Sequence, residues 1–298
     1  MRHFLQISQL SRQEADRLIE RALILKNHAN FPAYSQFTVA NLFYENSTRT
    51  RVSFELAAKK LRMSVINLDL QSSSEKKGET IGDTIKTLTA MGISFLVIRH
   101  SEDGLPQLLA AQCNDVVQII NAGDGKHAHP SQALLDMMTI METKPHLSQL
   151  KIAVVGDIRH SRVANSMQAL CALMGVGELI FVAPDIWQPE SVAFGQITSS
   201  LRDGIKEADV VMCLRVQRER LLASEHLDVE TYRRDYALTK EVLAYAKPDA
   251  VVMHPGPMNR GIEIDNDVAD GLQSVILRQV HNGVFMRMAI FDLLCKAA

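Results

Sequence analysis

Short β-branched runs alternate with amphipathic helical segments along nearly the whole chain, and this alternation restricts the fold more than any other feature. The runs are Thr38–Phe43, Val65–Asp69, Ser94–Ile98 and Val116–Ile120, then Ile152–Val155, Leu179–Val182, Val210–Leu214 and Ala250–Met253. Helical patterns separate them: Arg51–Arg62, Thr80–Met91 and Leu105–Gln112 in the first series, Ser161–Met174, Ser200–Ala208 and Thr239–Ala246 in the second. Strands that are apolar on both faces and joined through helices form parallel sheets covered on both sides. The expected class is therefore α/β, with two doubly wound parallel-sheet domains of four strands each. A capping box at Ser11–Glu14 opens a helix that runs to about Ala29. Pro130–Met141 reads as a helix at the domain boundary, followed by a polar linker over Glu142–Gln149. The long amphipathic stretch Ser274–Ala297 can return to the first domain. This predicts a first domain over 1–142, completed by a helix over about 284–298, and a second over 143–283. The length of 298 residues suits two domains, each with its own core.

Composition excludes several classes. Apolar residues make up 47% of the chain and the net charge is only −2, which argues against disorder. The balance of 32 basic and 34 acidic residues argues against a nucleic-acid partner. No apolar run approaches the ~20 residues that span a bilayer, and the N-terminal segment turns polar too early for a signal peptide. Cys113, Cys171, Cys213 and Cys295 form no CxxC pair, so a reduced, cytoplasmic chain with buried thiols and no structural metal is expected.

In open parallel sheets ligands bind beyond the carboxyl ends of strands. The segments there are cationic. After the first strand, Ser47-Thr48-Arg49-Thr50-Arg51 leads into a helix, whose N-terminus carries unpaired N–H groups and a positive dipole end. Together these form an anion site suited to phosphate, with Arg49 supplying a fork of donors. The polar loop Ser72–Glu79 carries Lys76 and Lys77 beside Gly78. The third strand ends in Arg99-His100, and the fourth leads into Gly123-Asp124-Gly125-Lys126-His127-Ala128-His129-Pro130-Ser131-Gln132. Pro130 takes the favoured first position of its helix, which turns His129 and Gln132 towards the crevice. Asp124, His127 and His129 lack the further ligand that would complete a metal set, and neither a P-loop nor a GxGxxG fingerprint occurs. In the second half Gly156-Asp157 precedes Arg159 and Arg162, Arg215-Val216-Gln217 follows the third strand, and His254-Pro255-Gly256-Pro257 follows the fourth. Cations after so many strands of both domains predict a cleft between them for two acidic ligands, one a phosphate.

These segments resemble, in order and over essentially the whole chain, those of the aspartate and ornithine carbamoyltransferases: STRTR, KKGET, RH, HPxQ, GDxxxSR, RVQ and HPGP. Ser73–Thr80 is similar to the lysine loop of the aspartate branch, and Arg215-Val216-Gln217 to its aspartate-binding motif. The ornithine branch carries an SMG-type motif and a His-Cys-Leu-Pro turn instead. The stretch between Ala183 and Ser200 is shorter than in many members, which touches a peripheral element of the second domain.

The resemblance implies carbamoyl transfer from carbamoyl phosphate to L-aspartate in pyrimidine synthesis, with the active site in the cleft and no cofactor. It assigns Ser47, Thr48, Arg49, Thr50, Ser73 and Arg99 to the phosphate. Thr50, Arg99 and His129 face the carbamoyl oxygen, and Gln132 with the carbonyls of Gly256 and Pro257 faces the carbamoyl amide. Lys77, Arg162, Arg215 and Gln217 hold the aspartate carboxylates. Arg49, Thr50, Lys77, Arg99 and His129 form the catalytic set. It also implies a homotrimer in which Ser73 and Lys77 enter the neighbouring subunit's site. Regulatory or dihydroorotase-type chains are the partner classes it brings with it. A non-catalytic scaffold or phosphate sensor would show degenerate site positions, and every one of these is filled.

Overall fold

The computed structural model of the chain describes residues 2–28, 30–68, 80–113, 116–216 and 227–296. The chain divides into two compact units, Met1–Leu135 with His281–Ala298, and Asp136–Val280.

In the first unit, α1 (Arg12–Asn27) opens on the expected capping box: Glu14 N–H donates to Ser11 Oγ at 3.2 Å, and Ser11 N–H to Glu14 Oε2 at 2.8 Å. There follow β1 (Thr38–Phe43), α2 (Thr48–Lys60), β2 (Ser64–Asn67), α3 (Ile81–Ala90), β3 (Phe95–His100), α4 (Leu105–Gln112), β4 (Gln118–Asp124) and α5 (Pro130–Met141), which runs past Leu135 into the second unit. The strands form a parallel sheet in the order β2-β1-β3-β4. β2 and β4 are the outer strands of this order, yet every residue of β4 is buried, whereas β2 is largely exposed. The difference comes from the N-terminal segment, which covers the free edge of β4: Phe4 N–H donates to the Ile119 carbonyl at 2.9 Å, and Asn121 N–H donates to the Phe4 carbonyl at 2.8 Å.

The second unit contains β5 (Lys151–Val155), α6 (Arg162–Met174), β6 (Glu178–Val182), β7 (Gln196–Thr198), α7 (Leu201–Ile205), β8 (Val210–Cys213), α8 (Val229–Tyr236), α9 (Lys240–Leu243), β9 (Val251–Met253) and α10 (Asn266–Ala269). Its described strands are also all parallel, ordered β7-β6-β5-β8-β9. Five strands are present where the sequence reading expected four. The addition, β7, is three partly exposed residues held by register with Ile180–Val182, and so short a mixed segment has no periodicity to read. The sequence reading also passed over α8, a charged segment that buries only Tyr232 and Tyr236 among its residues.

The last helix, α11 (Ile276–Cys295), begins in the second unit and continues into the first. In the first unit Phe291 meets Phe54 and Phe95 edge to face, with ring centroids 6.0 and 5.7 Å apart. Asp292 accepts hydrogen bonds from Arg21, Tyr34 and Lys296. Among the described residues no helix is long and apolar enough to cross a membrane.

Candidate active site

A parallel sheet offers its ligand crevice where successive connections leave a strand in opposite directions. From the strand order, that point lies between β1 and β3 in the first unit and between β5 and β8 in the second.

In the first unit, Tyr44 N–H donates to the Arg99 carbonyl at 2.9 Å and so ties the segment after β1 to the end of β3. The Arg99 guanidinium is mostly buried. Its Nη1 donates to the Ala122 carbonyl at 3.3 Å, and its Nε stands 3.3 Å from Glu45 Oε2. The helix α2 begins at Thr48, three residues earlier than its apolar spacing suggested. Ser47 takes the N-cap position, yet its hydroxyl makes no capping bond. Thr48, Arg49 and Thr50 therefore occupy the first turn, with Arg49 exposed and Thr50 buried. The cradle predicted for an anion is a helix N-terminus that its own cap residue leaves open.

The segment after β4 is held by one carboxylate. Asp124 is fully buried; Oδ1 accepts from Asn121 Nδ2 at 2.8 Å and Ala128 N–H at 3.1 Å. Its Oδ2 accepts from Gly104 N–H at 2.7 Å and lies 2.8 Å from His127 Nδ1. Asp124 and His127 are thus bound to each other and to the backbone. Gly125 makes the turn at φ +42°, where an added Cβ would lie 1.8 Å from Asp103 Oδ1, so only glycine fits. His129 is buried, and its carbonyl accepts from the N–H groups of Gln132 and Ala133 at the start of α5. Arg99 accordingly lies at the end of β3, and Thr50, His129 and Gln132 follow β1 and β4, its two neighbours in the sheet.

In the second unit, Leu214 N–H donates to the Val155 carbonyl at 2.7 Å, which joins the ends of β5 and β8. Gly156 sits at φ +137°, and an added Cβ would meet Leu214 Cβ at 3.0 Å. The close approach of these two strand ends depends on that glycine. Arg162 is buried in the first turn of α6, behind the Ser161 cap that accepts from Ala164 N–H at 3.2 Å. A cation is disfavoured at a helix N-terminus, so this location calls for an anion nearby. Arg215 lies two residues beyond β8. Beyond β9, Gly256 N–H donates to His254 Nδ1 at 2.8 Å, and Asn259 Nδ2 donates to the Val216 carbonyl at 3.3 Å. Arg162, Arg215 and the Gly256-Pro257 turn therefore follow β5, β8 and β9, three strands that lie side by side. Ser73, Lys77 and Gln217 lie outside the described residues.

Cys213 ends β8 but is no nucleophile, because complete burial pushes its thiol well above the ordinary range. Sequence reading singled out the cations and missed Glu45, which faces Arg99, and Glu263, which faces His254; it weighed Asp124 as a metal ligand and missed its part as the anchor of its loop. Their only linear signal is proximity to the cationic motifs.

The first part of the chain, residues 2–142, matches the family model described as the aspartate/ornithine carbamoyltransferase carbamoyl-P binding domain. Residues 148–294 match the Asp/Orn binding domain of the same family. The chain belongs to the aspartate/ornithine carbamoyltransferase family. The aspartate carbamoyltransferase catalytic subunit of Legionella pneumophila (strain Corby) is 63% identical over 292 residues, covering 98% of each chain. The aspartate transcarbamoylase of Trypanosoma cruzi, solved with carbamoyl phosphate and aspartate, superposes with a TM-score of 0.88 at 29% identity. That match covers 97% of this chain and 95% of the other. The ornithine carbamoyltransferase of Pyrococcus furiosus reaches 0.86 at 27%, over 100% of this chain and 98% of its own. Backbone likeness thus hardly separates the family's two branches, and the choice falls to side chains and overall identity.

Proposed function

We infer that this protein transfers the carbamoyl group of carbamoyl phosphate to the amine of L-aspartate, giving N-carbamoyl-L-aspartate and phosphate, a step of pyrimidine synthesis. One observation carries the choice of acceptor. Arg162 and Arg215 stand at the carboxyl ends of the adjacent strands β5 and β8, in the unit that matches the Asp/Orn binding model. Two guanidinium groups suit the two carboxylates of aspartate. The side-chain ammonium of ornithine would meet a like charge there.

The first unit holds carbamoyl phosphate. Ser47, Thr48, Arg49 and Thr50 bind the phosphate at the open N-terminus of α2, with Arg99 and Ser73 as further donors. Thr50, Arg99 and His129 donate to the carbamoyl oxygen, which becomes an oxyanion when the amine attacks. Gln132 and the carbonyls of Gly256 and Pro257 hold the carbamoyl amide. Arg162, Arg215, Gln217 and Lys77 hold aspartate.

The amine forms the new C–N bond, the C–O bond to phosphate breaks, and the departing phosphate takes up the proton. No covalent nucleophile is required. Most of the rate comes from alignment, worth about 7–11 kcal/mol in favourable cases, and from oxyanion donors, each worth about 10²–10³ in turnover. The test offers carbamoyl phosphate with either aspartate or ornithine and identifies the product. Carbamoyl-aspartate alone is expected, and citrulline would overturn the assignment.

The catalytic form is a homotrimer, with Ser73 and Lys77 serving the neighbouring subunit. Val52 and Leu56, one turn apart on α2, and Ile66 on the edge strand β2 are each more than two-fifths exposed. Asn67 Nδ2 donates to Glu55 Oε2 at 2.9 Å and binds these two elements together. Such apolar exposure beside an edge strand supports a subunit contact, since both features are otherwise aggregation liabilities.

A further inference from the structure

We propose that Glu263 is a positioning residue for this reaction: through His254 and Asn259 it holds the turn bearing Gly256 and Pro257 and the segment bearing Arg215 as one piece. The inference rests on the reading of the reaction given above. His254 and Glu263 are each only 1% exposed. Because His254 Nδ1 accepts the Gly256 N–H at 2.8 Å, the ring proton belongs on Nε2, which points at Glu263 Oε1 3.2 Å away. The same Oε1 accepts the Asn259 N–H at 2.5 Å. Asn259 then reaches the Val216 carbonyl, next to Arg215, through Nδ2. On its other side the His254 N–H donates to Gln279 Oε1 at 2.8 Å, and Gln279 Nε2 donates to Asp136 Oδ1 at 2.8 Å. A single carboxylate oxygen therefore fixes a histidine tautomer, the peptide of Gly256 and the residue that clasps the Arg215 segment.

Glu263 Oε2 has no hydrogen bond among the described residues. Burying a carboxylate with one oxygen unsatisfied and no Lys or Arg partner among the described residues costs stability. A fold that needed only packing here would be better served by an apolar side chain. What the carboxylate supplies is double acceptance at one point, which locks the two ligand-bearing segments to each other.

The experiment uses the full chain and three variants. Glu263→Gln keeps an oxygen acceptor in place, and kcat should stay within about threefold of the unmodified chain. Glu263→Asp withdraws the oxygen by one methylene. It should lower kcat at least tenfold, the range seen when positioning shells are disturbed. Calorimetric binding of inorganic phosphate, which the first unit serves, should meanwhile change less than about threefold. Asn259→Ala removes only the clasp on Val216 and should raise KM for aspartate about fivefold at unchanged phosphate binding. Unimpaired Glu263→Asp, a Gln variant as impaired as the Asp variant, or equal losses of kcat and phosphate binding would each overturn the proposal. If Glu263→Asp does not fold, Asn259→Ala decides, and an unchanged KM for aspartate sinks the proposal. An unmodified chain that fails to carbamoylate aspartate would instead overturn the reading of the reaction.

Discussion

Arg49 and Asp124 contrast two kinds of polar residue near the same strand ends. Arg49 is exposed in the first turn of α2, so little packing depends on its side chain. Arg49→Ala should lower turnover by about 10²–10³ while the thermal midpoint stays within about 2 °C. Steady-state kinetics beside a melting curve check this, and near-normal turnover would refute the phosphate role. Arg162→Ala should raise KM for aspartate at least tenfold, about 1.4 kcal/mol, and leave phosphate affinity unchanged. Asp124 behaves oppositely. Its carboxylate is buried among four donors, two on its own loop, one on Asn121 and one on Gly104. Asp124→Ala leaves those donors unsatisfied and should cost about 3–5 kcal/mol, measured by denaturant unfolding. Turnover should fall as well, because the loop that presents His129 loses its anchor.

At the scale of elements, the docking of α11 on α1 within the first unit has a defined response to pH. Burial pushes the Asp292 carboxyl up, but hydrogen bonds from Arg21, Lys296 and Tyr34 more than offset that and hold it below the usual carboxylate range. Asp292 thus stays ionised in the folded chain at acidities that protonate it in the unfolded one. Its contribution is complete above the ordinary carboxylate range and is lost as pH falls through the lowered folded value. Asp292→Asn should therefore flatten the acid side of a plot of thermal midpoint against pH. An unchanged acid limb would mean that other carboxylates set it. At the other end of α1, Ser11→Ala removes one capping acceptor and should cost about 1 kcal/mol.

At the scale of the whole molecule, the proposed trimer is open to direct measurement, with the exposed Val52, Leu56 and Ile66 as its expected contact. Native mass should correspond to three chains. Mixing inactive Lys77→Ala with inactive Arg49→Ala should restore partial activity, since some sites in a hybrid receive both intact residues. Verified hybrids without activity would refute shared sites. The sequence by itself determined the class of fold, because buried parallel strands and their helices write a periodic pattern that needs no distant partner. It also made the cationic segments legible, since parallel topology sends whatever follows a strand to one end of the sheet. A net charge of −2 conceals that segregation, because it sums over the whole chain. Tertiary structure decided the rest. It paired β7 with β6, moved the start of α2 to Thr48, and recruited Glu45, Asp124 and Glu263 to hold the cations, the histidine loop and the turn. Each of those outcomes depends on hydrogen bonds or strand register that close only once the chain has folded, and such partners leave no periodic trace in the order of residues.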